Sequence, residues 1–187
     1  SASMSDTEIL QAIGAGEDHI EGLLFPDTYF YAPHTSDLSV LRRAYRRQHE
    51  TLMAAWETRA PGLPYRTPYE ALIMASIVEK ETGVAFERPR IAGVFLNRLR
   101  LGMRLQTDPT VIYGLGERFD GNLRKVDLQR DTPYNTYTRA GLPPTPIAMP
   151  SEAAIQAALN PARTDALYFV ARGDGTHAFS STLDAHN

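Results

Sequence analysis

Thr67–Gly83, TPYEALIMASIVEKETG, is the stretch whose reading decides the fold. At about 100° per residue, Ile73, Met74, Ile77 and Val78 form one broad apolar arc, while Leu72, Ser76, Glu79 and Lys80 share the opposite, mixed side. A helix apolar almost all the way round is predicted to be buried. Its start reads clearly: Thr67 as N-cap, Pro68 at the first helical position and Glu70 completing a capping box. Gly83 is expected to stop it. The helix thus carries two carboxylates, Glu79 and Glu81, into a largely buried element. An ionised group there costs several kcal/mol to desolvate unless it is paired or held neutral. A carboxylic acid kept protonated near neutral pH is what general-acid catalysis uses, and the negative end of the helix dipole raises the pKa of both acids further. Glu81 points into the apolar arc but in the last turn, so the wheel alone does not choose between them. The plain alternative is a pairing with Lys80, Arg88 or Arg90 that only solvates the helix end.

Outward from this helix the chain reads as short helices with few strands. N-terminal to it, a short helix near Asp6–Ile13, a strand or extended piece through Leu23–Tyr31 and a long helix over Ser36–Thr58 form a lead-in, joined by Ala60–Pro68. Beyond it come a helix over Pro89–Leu101 ended by Gly102, the QTDPT loop with a short helix from Pro109, and a turn at FDGN. A Pro-rich loop follows, then a helix over Ser151–Leu159 stopped by Asn160 and Pro161. Ala166–Ala171 and Thr176–Ser180 flank a Gly-Asp-Gly turn and predict a C-terminal hairpin. This order reads as α+β, a helical core with a few short antiparallel strands. At 187 residues and 43% hydrophobic content the chain can bury a core. No apolar run is long enough to cross a bilayer and no signal peptide appears, which predicts a soluble chain; the opening SASM reads as a cloning scar.

Several chemistries are disfavoured. His19, His34, His49, His177 and His186 are scattered without metal-ligand spacing and cysteine is absent, so no metal site is expected. Ser180 and Ser181 near His177 lack a nucleophile-elbow context. The run Arg42–Glu50, RRAYRRQHE, fits a solvated helix face with Leu38, Leu41 and Tyr45 turned inward. With a net charge of −3, it does not read as a nucleic-acid footprint.

EGLLFPDTYFY (Glu21–Tyr31), ASIVEKET (Ala75–Thr82), VFLNRLRLGMRLQTDPTVIYGLG (Val94–Gly116), YNTYTRAGLPPTPIAMPS (Tyr134–Ser151) and LYFVARGDGTHAFSSTLDAHN (Leu167–Asn187) together resemble, in this order, the endolytic murein transglycosylase (YceG-like) family. The resemblance covers nearly the whole chain and implies a lysozyme-like active-site helix. It implies endolytic cleavage of peptidoglycan glycan strands between N-acetylmuramic acid and N-acetylglucosamine, leaving 1,6-anhydromuramoyl ends without metal or diffusible cofactor. On this match the family's catalytic glutamate falls on Glu79. The family places a transmembrane anchor and a LysM-like region before its catalytic part. This divides the chain into residues 1–67, leading from that region, and a catalytic domain over 68–187, facing the wall outside the cytoplasmic membrane. Peptidoglycan synthases are the implied protein partners. The rival expectations are a muramidase with Glu81 or Asp108 as second carboxylate, and a non-catalytic peptidoglycan-binding module.

A lytic transglycosylase needs the sugar held with its 6-hydroxyl facing C1, and other motifs suit that task. Gln106 offers an amide toward sugar hydroxyls or N-acetyl groups. Thr107 and Asp108 are candidate contacts too, although either can simply cap the helix starting at Pro109. Tyr134, Asn135 and Tyr137 offer aromatic faces and an amide before the stiff Pro143, Pro144 and Pro146 segment, with a packed Pro-rich loop as the plain alternative. Glu81 enters as a supporting group.

Overall fold

The computed structural model describes residues 4–186, and its layout follows from the burial of one helix. Eight helices and a two-stranded sheet are seen among these residues. They are α1 (Asp6–Ile13), α2 (Asp37–Glu57), α3 (Pro68–Glu81), α4 (Arg88–Arg100), α5 (Asp108–Leu115), α6 (Lys125–Gln129), α7 (Glu152–Leu159) and α8 (Leu183–His186), with β1 (Tyr168–Ala171) and β2 (His177–Ser180). The fold class is α+β, as the sequence predicts. Every residue of α3 from Ala71 to Val78 is at most 4% exposed, so its mixed side is as buried as its apolar arc. Helices α7, α4, α2 and α5 pack round it, and Ala154, Ile155, Ala157, Ala158 and Leu159 of α7 join its side chains in the main apolar cluster. Leu10, Leu23, Leu52 and Ala55 enter the same cluster, so the lead-in segment shares the core with the rest of the chain.

The α3 boundaries differ in detail from expectation. Thr67 Oγ1 accepts from the Glu70 N–H at 3.3 Å, but the Glu70 carboxylate reaches past the cap to the Arg66 N–H at 2.7 Å and to its guanidinium. The capping box is therefore only half formed. The helix ends at Thr82, which is extended (φ −146, ψ 135), without a left-handed Gly83. Thr82 is extended rather than helical, and its hydroxyl takes the Val84 N–H at 2.9 Å, so the chain leaves without the αL residue a Schellman stop uses. Leu23–Tyr31 forms no ladder and is irregular, with bends at Leu24 and Asp27. Helix α6 is one that the sequence pattern does not announce. The reading of SASM as a scar lies, apart from Met4, outside the described residues.

Ser76 explains how a polar residue is tolerated at the centre of α3. Its hydroxyl donates to the Ile73 carbonyl at 2.7 Å and accepts the Ile147 N–H at 2.9 Å. Pro143, Pro144 and Pro146 have no N–H, and the loop they stiffen is pinned to the core by this bond. A second pin lies opposite: Gly22, at φ 84, sits where an added Cβ would fall 2.4 Å from Pro146 Cβ. Gln48 of α2, itself buried, donates to the Gly22 and Pro150 carbonyls.

The hairpin predicted at the C-terminus forms as β1 against β2, antiparallel, with Tyr168 opposite Ser180 and Ala171 opposite His177. It is held to α4 by Asn97, whose amide donates to the Thr164 and Ala166 carbonyls, and by Arg98, whose Nε donates to that of Leu167 at 2.7 Å. No helix among the described residues is long and apolar enough to cross a membrane. Replacing Ser76 by Ala strands the Ile147 N–H in the core and is expected to lower unfolding free energy by about 1–3 kcal/mol. Urea denaturation of the variant beside the wild type measures this.

Candidate active site

The two glutamates of the EKET string part company at the end of α3. Glu79 turns toward the N-terminus of α7, where its Oε2 accepts from the Ser151 N–H at 2.9 Å and from Ser151 Oγ at 2.5 Å. Its Oε1 lies 3.8 Å from Arg88 Nη2. Ser151 in turn caps α7, its Oγ accepting from the Ala154 N–H. Glu79 thus satisfies an orphan donor at a positive helix end and ties α3 to α7. That is the structural pairing, with Arg88 among its partners, that the sequence left open.

Glu81 turns the other way, into a cleft of ≈ 440 Å³ between α3, α4, the loop before α5 and the hairpin. Burial raises its pKa above the usual carboxylate range; a hydrogen bond from Thr107 opposes the shift, Asp108 adds to it, and His177 works against it. Thr107 Oγ1 donates to Glu81 Oε1. Oε2 has no hydrogen-bond partner among the described residues, nor is it enclosed. Glu81 is therefore a carboxyl biased toward its neutral form, with one oxygen held and the other facing open space.

The QTDPT loop is what holds it. Thr107 stands at the N-cap position of α5, where its side chain makes no capping bond and its hydroxyl donates to Glu81 instead. Beneath it, Thr136 Oγ1 accepts the Thr107 N–H at 3.0 Å and lies 2.8 Å from Thr110 Oγ1, forming a buried hydroxyl cluster. Gln106 lines the cleft with a left-handed backbone, φ 52, that a non-glycine residue adopts only when its surroundings impose it. Its N–H is fixed to the Thr136 carbonyl at 3.1 Å. Asp108 also lines the cleft and accepts from Tyr137 Oη at 2.6 Å. Burial first, and then that bond, push the Tyr137 phenol pKa up.

Of the remaining sequence candidates, Tyr137 reaches the cleft and its two neighbours do not. Asn135 is 1% exposed; its amide donates to the Leu128 and Arg130 carbonyls and its Oδ1 accepts the Tyr137 N–H at 2.8 Å. It is the knot of the YNTY turn. Tyr134 packs on Tyr113 with ring centroids 4.9 Å apart, and its hydroxyl bonds Thr145 at 2.8 Å. Both follow the packed-loop alternative, because amide and phenol are consumed within the fold.

Two cleft residues were not singled out from sequence. His177 on β2 is fixed by Glu87, with Nδ1 2.8 Å from Oε2 and its N–H donating to Oε1 at 2.9 Å. Burial alone would raise the pKa of Glu87, but those bonds outweigh it and hold the carboxyl below the usual range. Arg98 lines the wall beside Gln106. Neither pairing has a sequence signal, since His177 and Glu87 meet across 90 positions. No group of three or more His, Cys, Asp or Glu among the described residues is arranged to hold a metal ion.

The YceG-like family profile matches residues 2–187. The chain is 40% identical over 168 residues to an endolytic murein transglycosylase of Bacillus subtilis, covering 90% of this chain and 46% of that protein. It is 36% identical over 158 residues to one of Streptococcus pneumoniae, covering 81% of this chain and 28% of that protein. The chain therefore spans less than half the length of these curated relatives. A crystal structure of a YceG-like protein from Listeria monocytogenes superposes with a TM-score of 0.75 at 36% identity, over 94% of this chain and 58% of that one. The sequence match from end to end and the shared fold agree: this chain belongs to the YceG-like family.

Proposed function

We propose that this chain is the catalytic part of an endolytic lytic transglycosylase acting on peptidoglycan glycan strands, with Glu81 rather than Glu79 as its acid and base. The names of the relatives support the activity. The observation that carries the residue assignment is the contrast between a Glu79 occupied by Ser151 and a Glu81 buried at the cleft.

In this reading the glycan lies along the cleft with the muramoyl–glucosaminyl bond over Glu81. Oε1 accepts from Thr107, so the proton sits on Oε2 and faces the substrate. Glu81 gives that proton to the glycosidic oxygen as the C1–O bond breaks, and the released sugar leaves with a hydroxyl. Positive charge then builds on C1. The 6-hydroxyl of the same muramoyl residue closes on C1, its proton passes to the Glu81 carboxylate, and a 1,6-anhydro ring forms. One carboxyl serves both steps, whereas hydrolysis by water ordinarily calls on two. Attack from within the substrate avoids the entropy cost of a separate nucleophile. The Thr107 hydroxyl steadies the carboxylate stage, and Gln106, Asp108 and Tyr137 supply polar and aromatic surface for the sugars. We place the activity on the wall side of the cytoplasmic membrane, near the peptidoglycan synthases that make the strands.

Mass spectrometry of uncrosslinked glycan strands tests the reading. Wild type and Glu79→Gln are expected to yield shortened strands with anhydromuramoyl ends, while Glu81→Gln lowers kcat by about 100-fold or more. Ends that incorporate ¹⁸O from labelled water would make the enzyme a muramidase, and loss of activity in Glu79→Gln alone would return the role to Glu79.

Two pH effects follow from the raised pKa of Glu81. Thr107→Val removes a bond that favours the ionised form, so the carboxyl stays protonated to higher pH. The high-pH limb of kcat, where the acid is lost, is expected to move upward while kcat at the optimum falls. Stability runs with the opposite consequence. Below the ordinary carboxylate range both folded and unfolded states are protonated. As pH rises through that range, the unfolded chain releases the proton while the folded chain keeps it, so the folded state loses ground until the raised pKa is passed. Thermal melts across pH 4 to 8 are expected to show wild type falling behind Glu81→Gln over that window and the gap then holding level.

A further inference from the structure

Arg98 is 8% exposed, yet its guanidinium meets no negative charge. Nε donates to the Leu167 carbonyl at 2.7 Å. Nη1 donates to those of Arg104 and Leu105 at 3.1 and 2.9 Å and more distantly to Gln106 Oε1 at 3.5 Å. All four acceptors are neutral, and no carboxylate pairs with Arg98 among the described residues. Nη2 makes no hydrogen bond to the described residues and is not enclosed, and the open space beside this residue is the cleft. A guanidinium withdrawn from bulk water without a counter-charge is costly, and carbonyl dipoles offset that cost only in part.

The other titratable groups that line the cleft have partners of their own. Asp108 accepts the Tyr137 hydroxyl, His177 is bonded to Glu87, and Thr107 holds Glu81. The Arg98 side chain is also rigid. Its three carbonyl bonds and the Tyr168 ring, 5.1 Å from the guanidinium carbon, fix the direction in which Nη2 points. A fixed cation with one free pair of N–H donors, on the wall of a groove that takes glycan, is suited to an anionic group on that glycan.

We propose that Arg98 is a specificity-determining residue that receives a carboxylate carried by the muramoyl unit. This rests on the reading of the cleft as a peptidoglycan site. In that polymer the muramoyl sugar carries a lactyl group that the glucosaminyl sugar lacks. Its carboxylate is free in peptide-free strands, whereas in peptide-bearing strands it is amide-linked and the stem peptide supplies the carboxylates. Either source presents the same chemistry to Nη2, and either distinguishes the two alternating sugars. Arg98 therefore sets which of the two kinds of glycosidic bond lies over Glu81.

Equilibrium binding to the Glu81→Gln protein, measured by calorimetry, separates recognition from cleavage. Three versions of one muramoyl tetrasaccharide are compared: peptide-free with free lactyl carboxylates, the same with those groups converted to methylamides, and the peptide-bearing form. The free acid or the peptide-bearing form is expected to bind about tenfold or more tightly than the methylamide. Preference for the free acid assigns the lactyl group, and preference for the peptide-bearing form assigns the stem. The discrimination is expected to vanish in Arg98→Gln and to persist in part in Arg98→Lys. Should Arg98→Gln fail to fold for want of its carbonyl bonds, the ligand series on Arg98-containing protein still decides. Equal dissociation constants, or no measurable binding of either carboxylate form, overturn the proposal. Cleavage by wild type, run alongside, reads the activity separately. Anhydro ends formed with equal KM from all three remove the role of Arg98 and keep the transglycosylase; discriminating binding without cleavage does the reverse.

Discussion

Burial of α3 on every side is the constraint from which the rest of the molecule follows. Nothing between Ala71 and Val78 can carry charge, and the one hydroxyl there, on Ser76, is consumed by the Ile73 and Ile147 backbone. Chemistry is therefore confined to the last turn, where the helix comes out of the core and its side chains begin to diverge. Glu79 and Glu81 stand two positions apart, roughly 200° on a helical wheel, and that angle sends one acid to α7 and the other to the cleft. A single helix thus delivers one carboxylate to a helix cap and another to a cleft within one turn. The neighbours in space differ: the serine N-cap of α7 for the first, the Thr107 hydroxyl for the second.

Hydroxyl groups carry much of the positioning. Ser76 anchors the proline loop, Ser151 joins α3 to α7, and Thr107, Thr110 and Thr136 form the layer under the QTDPT turn. Each is short and has few rotamers, so ordering it costs little entropy. The left-handed Gln106 is the visible outcome of that layer, because its N–H is bound to the Thr136 carbonyl while its side chain is left toward the cleft. The pattern fixes the wall of the cleft through short side chains that have little freedom to lose.

Periodicity and caps carried most of the architecture, because α1, α2, α3, α4 and α7 have strong local signals such as Ser36, Thr67 and Ser151 at their starts. The hairpin was legible from its Gly-Asp-Gly turn. Side-chain destinations were less so. The helical wheel placed Glu79 and Glu81 on different sides, but which side met a cleft depended on elements distant in sequence, Ser151 for one and Thr107 for the other. Thr107 looked like a cap because a residue preceding Asp-Pro ordinarily is one; only its proximity to Glu81 shows that its hydroxyl has another partner. Asn135 and Tyr134 resembled carbohydrate contacts by residue type, and type does not reveal that their polar atoms are already satisfied inside the turn. Arg98 and His177 had no local mark, since what sets them apart is who stands beside them.

The hairpin has a further consequence for how the molecule comes into being. Phe169, Val170, Ala171 and His177 form one wall of the cleft, and they follow every helix of the main apolar cluster in the chain. During synthesis the helical body can therefore pack while its cleft is still open on one side. The site is completed last, when β1 and β2 emerge and dock on Asn97, Arg98 and Glu87. This order gives the ribosome-bound chain a folded helical body before its cleft has its last wall.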